Sequence, residues 1–151
     1  MKRFRTEGAH NVAFVWSPFT PADLAAWPGD EWVDWIGLDL FNYGTAVQNG
    51  GWTPFSTLLK WHLDAARSAK PILLAEVGCS GIGGDRAAWW RDAFHGLERS
   101  LYPEVGAVIL FDDPAQHLPN GTVVDWGLFR TPKAIAASKP KALTAGFEHA
   151  P

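Results

Sequence analysis

The chain has 151 residues, 47% hydrophobic and 19% charged, with one cysteine and a formal charge of −3 from 13 basic and 16 acidic side chains. This is a globular composition, long enough to bury a core without disulfide or metal staples. Neither sign of charge forms a long run, which removes the electrostatic footprint of a nucleic-acid or anionic-membrane partner. The apolar runs are too short to span a bilayer, and Cys79 has no internal disulfide partner. Residues 1–7 are charged and lack the apolar stretch of a signal peptide.

Four apolar, β-rich runs follow in chain order, at residues 12–16, 33–40, 71–77 and 105–111. They are apolar at almost every position, as expected of strands buried on both faces of a parallel sheet. Helical segments separate them. The crossover between the first two, with Pro18, Pro21, Pro28 and Gly29, leaves room for one or two turns around residues 22–27. Thr53-Pro54 offers a cap and a first-turn proline for a helix running to about Ser68, with Phe55, Leu58, Leu59, Leu63 and Ala66 on one face. A further helix is expected from Asp85, and Thr131-Pro132 repeats the cap-plus-proline signal for a last short one. Residues 139–151 read as a tail, leaving 1–138 as one unit.

This alternation is α/β, with four parallel β/α units; the starts of the last three runs are separated by intervals comparable to the roughly 31 residues per unit of a complete barrel. A complete eight-stranded barrel needs about 250 residues. The expected architecture is therefore half of a TIM-type (β/α)8 barrel. In such a sheet the chemistry belongs at the carboxyl ends of the strands, which here read Trp16-Ser17, Asp39-Leu40-Phe41-Asn42-Tyr43, Glu76-Val77-Gly78-Cys79 and Phe111-Asp112-Asp113. Glu76 stands out, because an unbroken apolar run delivers a carboxylate to its end, where it needs either a partner or a task.

The segments Asn11-Val12-Ala13-Phe14-Val15-Trp16-Ser17-Pro18, Trp27-Pro28-Gly29-Asp30-Glu31-Trp32-Val33-Asp34-Trp35-Ile36-Gly37-Leu38-Asp39 and Lys70-Pro71-Ile72-Leu73-Leu74-Ala75-Glu76-Val77-Gly78 resemble the carboxyl-terminal half of glycoside hydrolase family 26. This is the mannanase-type family of (β/α)8-barrel enzymes. Gly84-Asp85-Arg86-Ala87-Ala88-Trp89 and Asp125-Trp126 extend the resemblance to about Ala137. It implies the last four β/α units of the barrel, a β-linked polysaccharide substrate (mannan ahead of mixed-linkage glucan), no cofactor, and a secreted protein. It also implies that Glu76 is the nucleophile of a retaining mechanism, which needs a second carboxyl group as acid and base.

The family's acid/base Glu ends an earlier strand, so it is expected to be absent from this chain. Phe41 stands where relatives usually carry a tyrosine that hydrogen-bonds the nucleophile, and Gly127 where an arginine is expected. The alternatives are an inactive glycan-binding half-barrel, or a module that completes its barrel with a second copy or a separate amino-terminal half.

Trp16, Trp52 and Trp126 are candidate platforms for sugar rings, with core packing as the competing role. Asp39 and Asn42 are candidates for bonding sugar hydroxyls, or for fixing neighbouring loops. Asp112 and Asp113 fit either substrate contact or a turn with Pro114. The five histidines show no metal-ligand spacing, and Cys79 reads as a buried, inert thiol. Residues 78–84 match neither the Walker nor the dinucleotide pattern and read as a flexible loop beside the groove. Asn120-Gly121-Thr122 is at once a glycosylation sequon and a turn signal.

Overall fold

The computed structural model describes residues 2–18, 23, 26–66 and 70–128. The last helix expected from Thr131-Pro132 and the 139–151 tail lie outside these residues, as does half of the short helix expected around 22–27. The described elements in chain order are α1 (Lys2–Thr6), β1 (Val15–Trp16), β2 (Trp35–Asn42), α2 (Phe55–Ala66), β3 (Ile72–Cys79), α3 (Arg86–Glu98), β4 (Val105–Leu110), β5 (Gln116–His117) and β6 (Val123–Val124). Strands β1 to β4 form a parallel sheet in sequential order, and β5 pairs antiparallel with β6. A sequential parallel sheet with helices between its strands is α/β and fits part of a TIM-type barrel.

All four expected strands form, with shifted limits. The first run pairs only at Val15 and Trp16, because Asp34 diverts the chain before them: its carboxylate accepts from Phe14 N–H at 2.8 Å. The third continues past Gly78 to Cys79. That glycine is needed for close approach rather than for a turn, since a Cβ there would lie 2.9 Å from the Phe41 ring and 3.0 Å from that of Trp126.

Burial differs from the two-sided expectation. One face of the sheet, carrying Ile36, Leu38 and Leu40 from β2 and Ile72, Leu74 and Val77 from β3, packs against Phe55, Leu58 and Leu59 of α2 and Trp89, Trp90 and Ala93 of α3. Each aliphatic side chain buried there contributes about 1.5–3 kcal/mol. The opposite face is open over much of its area among the described residues, leaving Val15 45% and Ile109 54% exposed. It is roofed at its carboxyl end, where Ala46, Val124 and Trp126 form a second, smaller core with Phe41, Tyr43, Ile82, Phe111 and Leu118.

Asp85 caps α3 as its position predicts, accepting from Ala88 N–H at 3.0 Å. Thr53 does not cap α2 in that way. Its hydroxyl donates back to Gly51, while its N–H donates to the Asn42 side chain.

Candidate active site at the carboxyl ends of β2 and β3

The position of Glu76 depends on one extra residue. Strict alternation from Ile72 and Leu74 would send Glu76 to the helix-covered side, where an unpaired carboxylate is strongly disfavoured. Instead the register slips between Leu74 and Val77. On one flank Leu38 pairs with Leu74 and Asp39 with Glu76; on the other Leu74 pairs with Val108 and Val77 with Leu110. Ala75 is the unpaired residue. This β-bulge returns Val77 and Cys79 to the core and turns Glu76 to the open face.

Asp39 and Glu76 are thus lateral neighbours on one face. Asp39 is half-buried and Glu76 exposed. Desolvation, and secondarily the Asp39 charge, raise the Glu76 carboxyl above its ordinary value. Desolvation also raises Asp39, partly offset by the His62 imidazole. Exposure of Glu76 to solvent screens the repulsion within the pair.

An aromatic layer roofs the strand beyond Glu76. Phe41 meets Trp126 and Phe111 edge-on, each at a centroid distance of 5.1 Å, and Tyr43 meets Trp126 at 5.0 Å. Nothing in the sequence pattern singles out Tyr43, yet the charge of Glu76 joins burial in raising its phenol. Its signal is tertiary, in ring contacts with residues far along the chain.

The other candidate residues divide by their surroundings. Trp126 is 0% exposed, enclosed by the aromatic layer, and its indole N–H donates to the Gln116 side chain at 2.8 Å. Its ring serves packing in this structure. Trp52 is half-buried against Gly84, where a Cβ would collide with its ring. Trp16 pairs in register with Ile36 and meets Trp27 edge-on at 5.1 Å, on the helix-covered side. Asn42 is 2% exposed, and its carboxamide oxygen accepts from the N–H groups of Gly44 and Thr53 at 3.2 and 3.3 Å. The amide therefore organises the loop after β2, whereas Asp39 alone among these candidates stands beside Glu76.

Residues 80–84 form a pinned segment, in contrast to the flexible loop expected. Ser80 donates to the Tyr43 carbonyl at 2.9 Å, Thr45 N–H donates to Ile82, and Gly44, at φ +59°, lies against the Ile82 carbonyl. Asn120 ties the β5–β6 turn to the same region through the Ala46 carbonyl, at 2.9 Å. Asp112 accepts from Leu128 N–H and Asp113 from Ala115 N–H, so both organise the chain after β4. Burial pushes the Cys79 thiol up to about 12, against smaller opposing effects of Asn42 and Arg86. It is inert at neutral pH. Among the described residues no cluster of three or more His, Cys, Asp or Glu side chains is arranged to hold a metal ion.

A four-stranded parallel β/α sheet in sequential order places the chain in the α/β class and fits part of a TIM-type barrel. Residues 2–72 match the family model described as glycosyl hydrolase family 26. The chain is 31% identical, over 95% of its length, to endoglucanase H of Acetivibrio thermocellus, and 34% identical, over 50% of its length, to beta-1,3-xylanase TXYA of a Vibrio species. These matches support a fragment of glycoside hydrolase family 26. The chain spans 16% of the length of each of these relatives, and the residues matched by the family model end before Glu76.

Proposed function

We propose that the chain carries the nucleophile side of a retaining glycoside hydrolase site acting on a β-linked polysaccharide, with Glu76 as the nucleophile. The observation that carries this reading is the bulge at Ala75. The strand gives up regular pairing at the one place where regularity would hide Glu76. In this mechanism the Glu76 carboxylate attacks the anomeric carbon as the glycosidic bond breaks, forming a glycosyl-enzyme. A second carboxyl group protonates the leaving oxygen and then deprotonates the water that releases the sugar. By family resemblance that second group lies on an earlier strand, and Asp39 is the charged neighbour of the nucleophile. Mannan and β-glucan are the substrates to test, the latter supported by the endoglucanase relative.

The test is release of reducing ends from β-mannan and β-glucan by purified protein. Turnover that falls at least about a thousandfold in Glu76→Gln is expected, and unchanged activity in that variant overturns the assignment. A second reading rests on the open face with its exposed Val15 and Ile109: the chain completes its barrel with a second copy or a separate amino-terminal half. Light scattering showing only a monomer that gains no activity on mixing with such a half counts against it. Retention on polysaccharide without turnover selects the inactive, glycan-binding form.

A further inference from the structure

The turn between α1 and β1 leaves a cleft at the amino ends of β1 and β2, the end of the sheet opposite to Glu76. Gly8, at φ +77°, ends α1 in the left-handed conformation. Its N–H donates to the Arg5 carbonyl at 3.2 Å and that of Ala9 to the Phe4 carbonyl at 2.9 Å, the paired bonds of a Schellman turn. On the far wall Phe14 and Asp34 hold each other. The Asp34 carboxylate accepts from Phe14 N–H at 2.8 Å, and the Phe14 carbonyl accepts from the N–H groups of Asp34 and Trp35 at 2.8 and 3.1 Å. Phe4 meets Phe14 edge-on at 5.5 Å and ties the two walls together. The cavity between them has a volume of about 330 Å³, at the lower end of the range for small-molecule sites.

These bonds fix the walls and leave the side chains around the cavity unspent. Arg5, His10 and Asn11 line it, and their side chains make no hydrogen bond among the described residues. Asp34, on the same cavity, is half-buried and keeps its second carboxylate oxygen unbonded among those residues. One guanidinium and one carboxylate balance in charge without forming an ion pair. The lining therefore offers donors from Arg5, an acceptor from Asp34 and both from Asn11 and His10, beside the apolar Val12 and Phe14. An anion would meet the Asp34 carboxylate, and a cation the Arg5 guanidinium. A neutral diol, whose hydroxyls each donate and accept, matches all of these groups.

We propose that this cavity is a second glycan-binding site, taking one sugar unit of a β-linked polysaccharide, with Arg5 and Asn11 donating to its hydroxyl oxygens and Asp34 accepting from a hydroxyl. Asp34 stands five residues before Asp39, about 16 Å away along extended chain, so a sugar held here touches neither Asp39 nor Glu76. The site tethers the protein to its polysaccharide and takes no part in bond cleavage, raising the local concentration of the other end of the sheet on the same material.

The inference rests on the hydrolase reading for the class of ligand, but its test reads binding alone. Heteronuclear NMR of the chain carrying Glu76→Gln, which keeps the ligand intact, follows titrations with mannotriose and cellotriose. The backbone amides of residues 10–13 and the Asn11 carboxamide are expected to shift and saturate with at least one of them. Asn11→Ala and Arg5→Gln, both at exposed positions, are each expected to weaken that saturation about fivefold, as the loss of one hydrogen bond requires; amide dispersion checks their fold. Silence at residues 10–13 with both sugars overturns the proposal, as do shifts that neither substitution weakens. Saturation with inorganic phosphate or glycylglycine alone also overturns it, in favour of an anion or a zwitterion. Binding at this cavity without hydrolysis by the wild type leaves the site standing and removes the hydrolase reading; hydrolysis lost in Glu76→Gln with a silent cavity does the opposite.

Discussion

The two faces of the parallel sheet are built from the same strands and obey different rules. On the helix-covered face, Ile36, Leu40 and Leu74 are 0% exposed beneath α2 and α3, and only volume matters there. On the other face the same strands present Asp39, Phe41 and Glu76, of which Glu76 is exposed and lacks a hydrogen-bond partner among the described residues. Burial gives the first face its stability, whereas the second keeps a like-charge neighbour pair that a purely structural surface would avoid. A single bulge residue, Ala75, separates the two regimes. A local irregularity in a strand can thus decide which face a carboxylate occupies, which composition does not.

The most severe challenge to this contrast is a carboxylate on the covered face. Leu74→Glu places an unpaired charge among Leu38, Leu40 and the helices, and is expected to cost more than about 4 kcal/mol, enough to unfold the chain. Urea denaturation followed by circular dichroism measures it, and native-like stability would refute the division of faces. Truncation gives a graded version. Leu59→Ala, at 0% exposure, is expected to lose about 2–5 kcal/mol. Ile109→Ala, on the open face at 54% exposure, should change stability by no more than about 0.5–1 kcal/mol in the isolated chain. Equal losses at both positions would show that the open face is covered in solution.

The smallest effect is the pH dependence of stability. Glu76 and Asp39 both have raised carboxyls in the folded state, so the folded chain binds more protons than the unfolded one in the weakly acidic range just above the ordinary carboxylate values. Their contribution to stability therefore grows as pH falls through the raised folded midpoints and is lost as pH rises through them. Comparing thermal midpoints across that range in the wild type and in Glu76→Gln should show a shallower slope in the variant. An identical slope would mean that the pair is not electrostatically strained.

Much of the site was legible one residue at a time. Glu76 announces itself because a carboxylate at the end of an apolar strand is costly without a task, and the cap at Asp85 needed only local spacing. The tryptophans were not legible in this way. Trp126 and Trp52 sit on loops, where exposure is the natural expectation, but residues distant in sequence enclose one and glycine backbone packs against the other. Asn42 reads equally well as a sugar ligand or a loop clamp, and only its 2% exposure and two accepted N–H bonds show which it is in this structure. Tyr43 stands among the strand-end residues in the sequence, but its ring contacts with Phe41 and Trp126 are set by the tertiary structure.

By itself the sequence determined the α/β alternation, the four parallel strands and the carboxylate at the end of the third. Each follows from hydrophobic period, caps and strand-end chemistry, all encoded within a few residues. The tertiary structure alone decided which face Glu76 occupies and what stands beside it. Side-chain direction in a strand depends on pairing register, and register is fixed by both neighbouring strands together rather than by the strand's own residues.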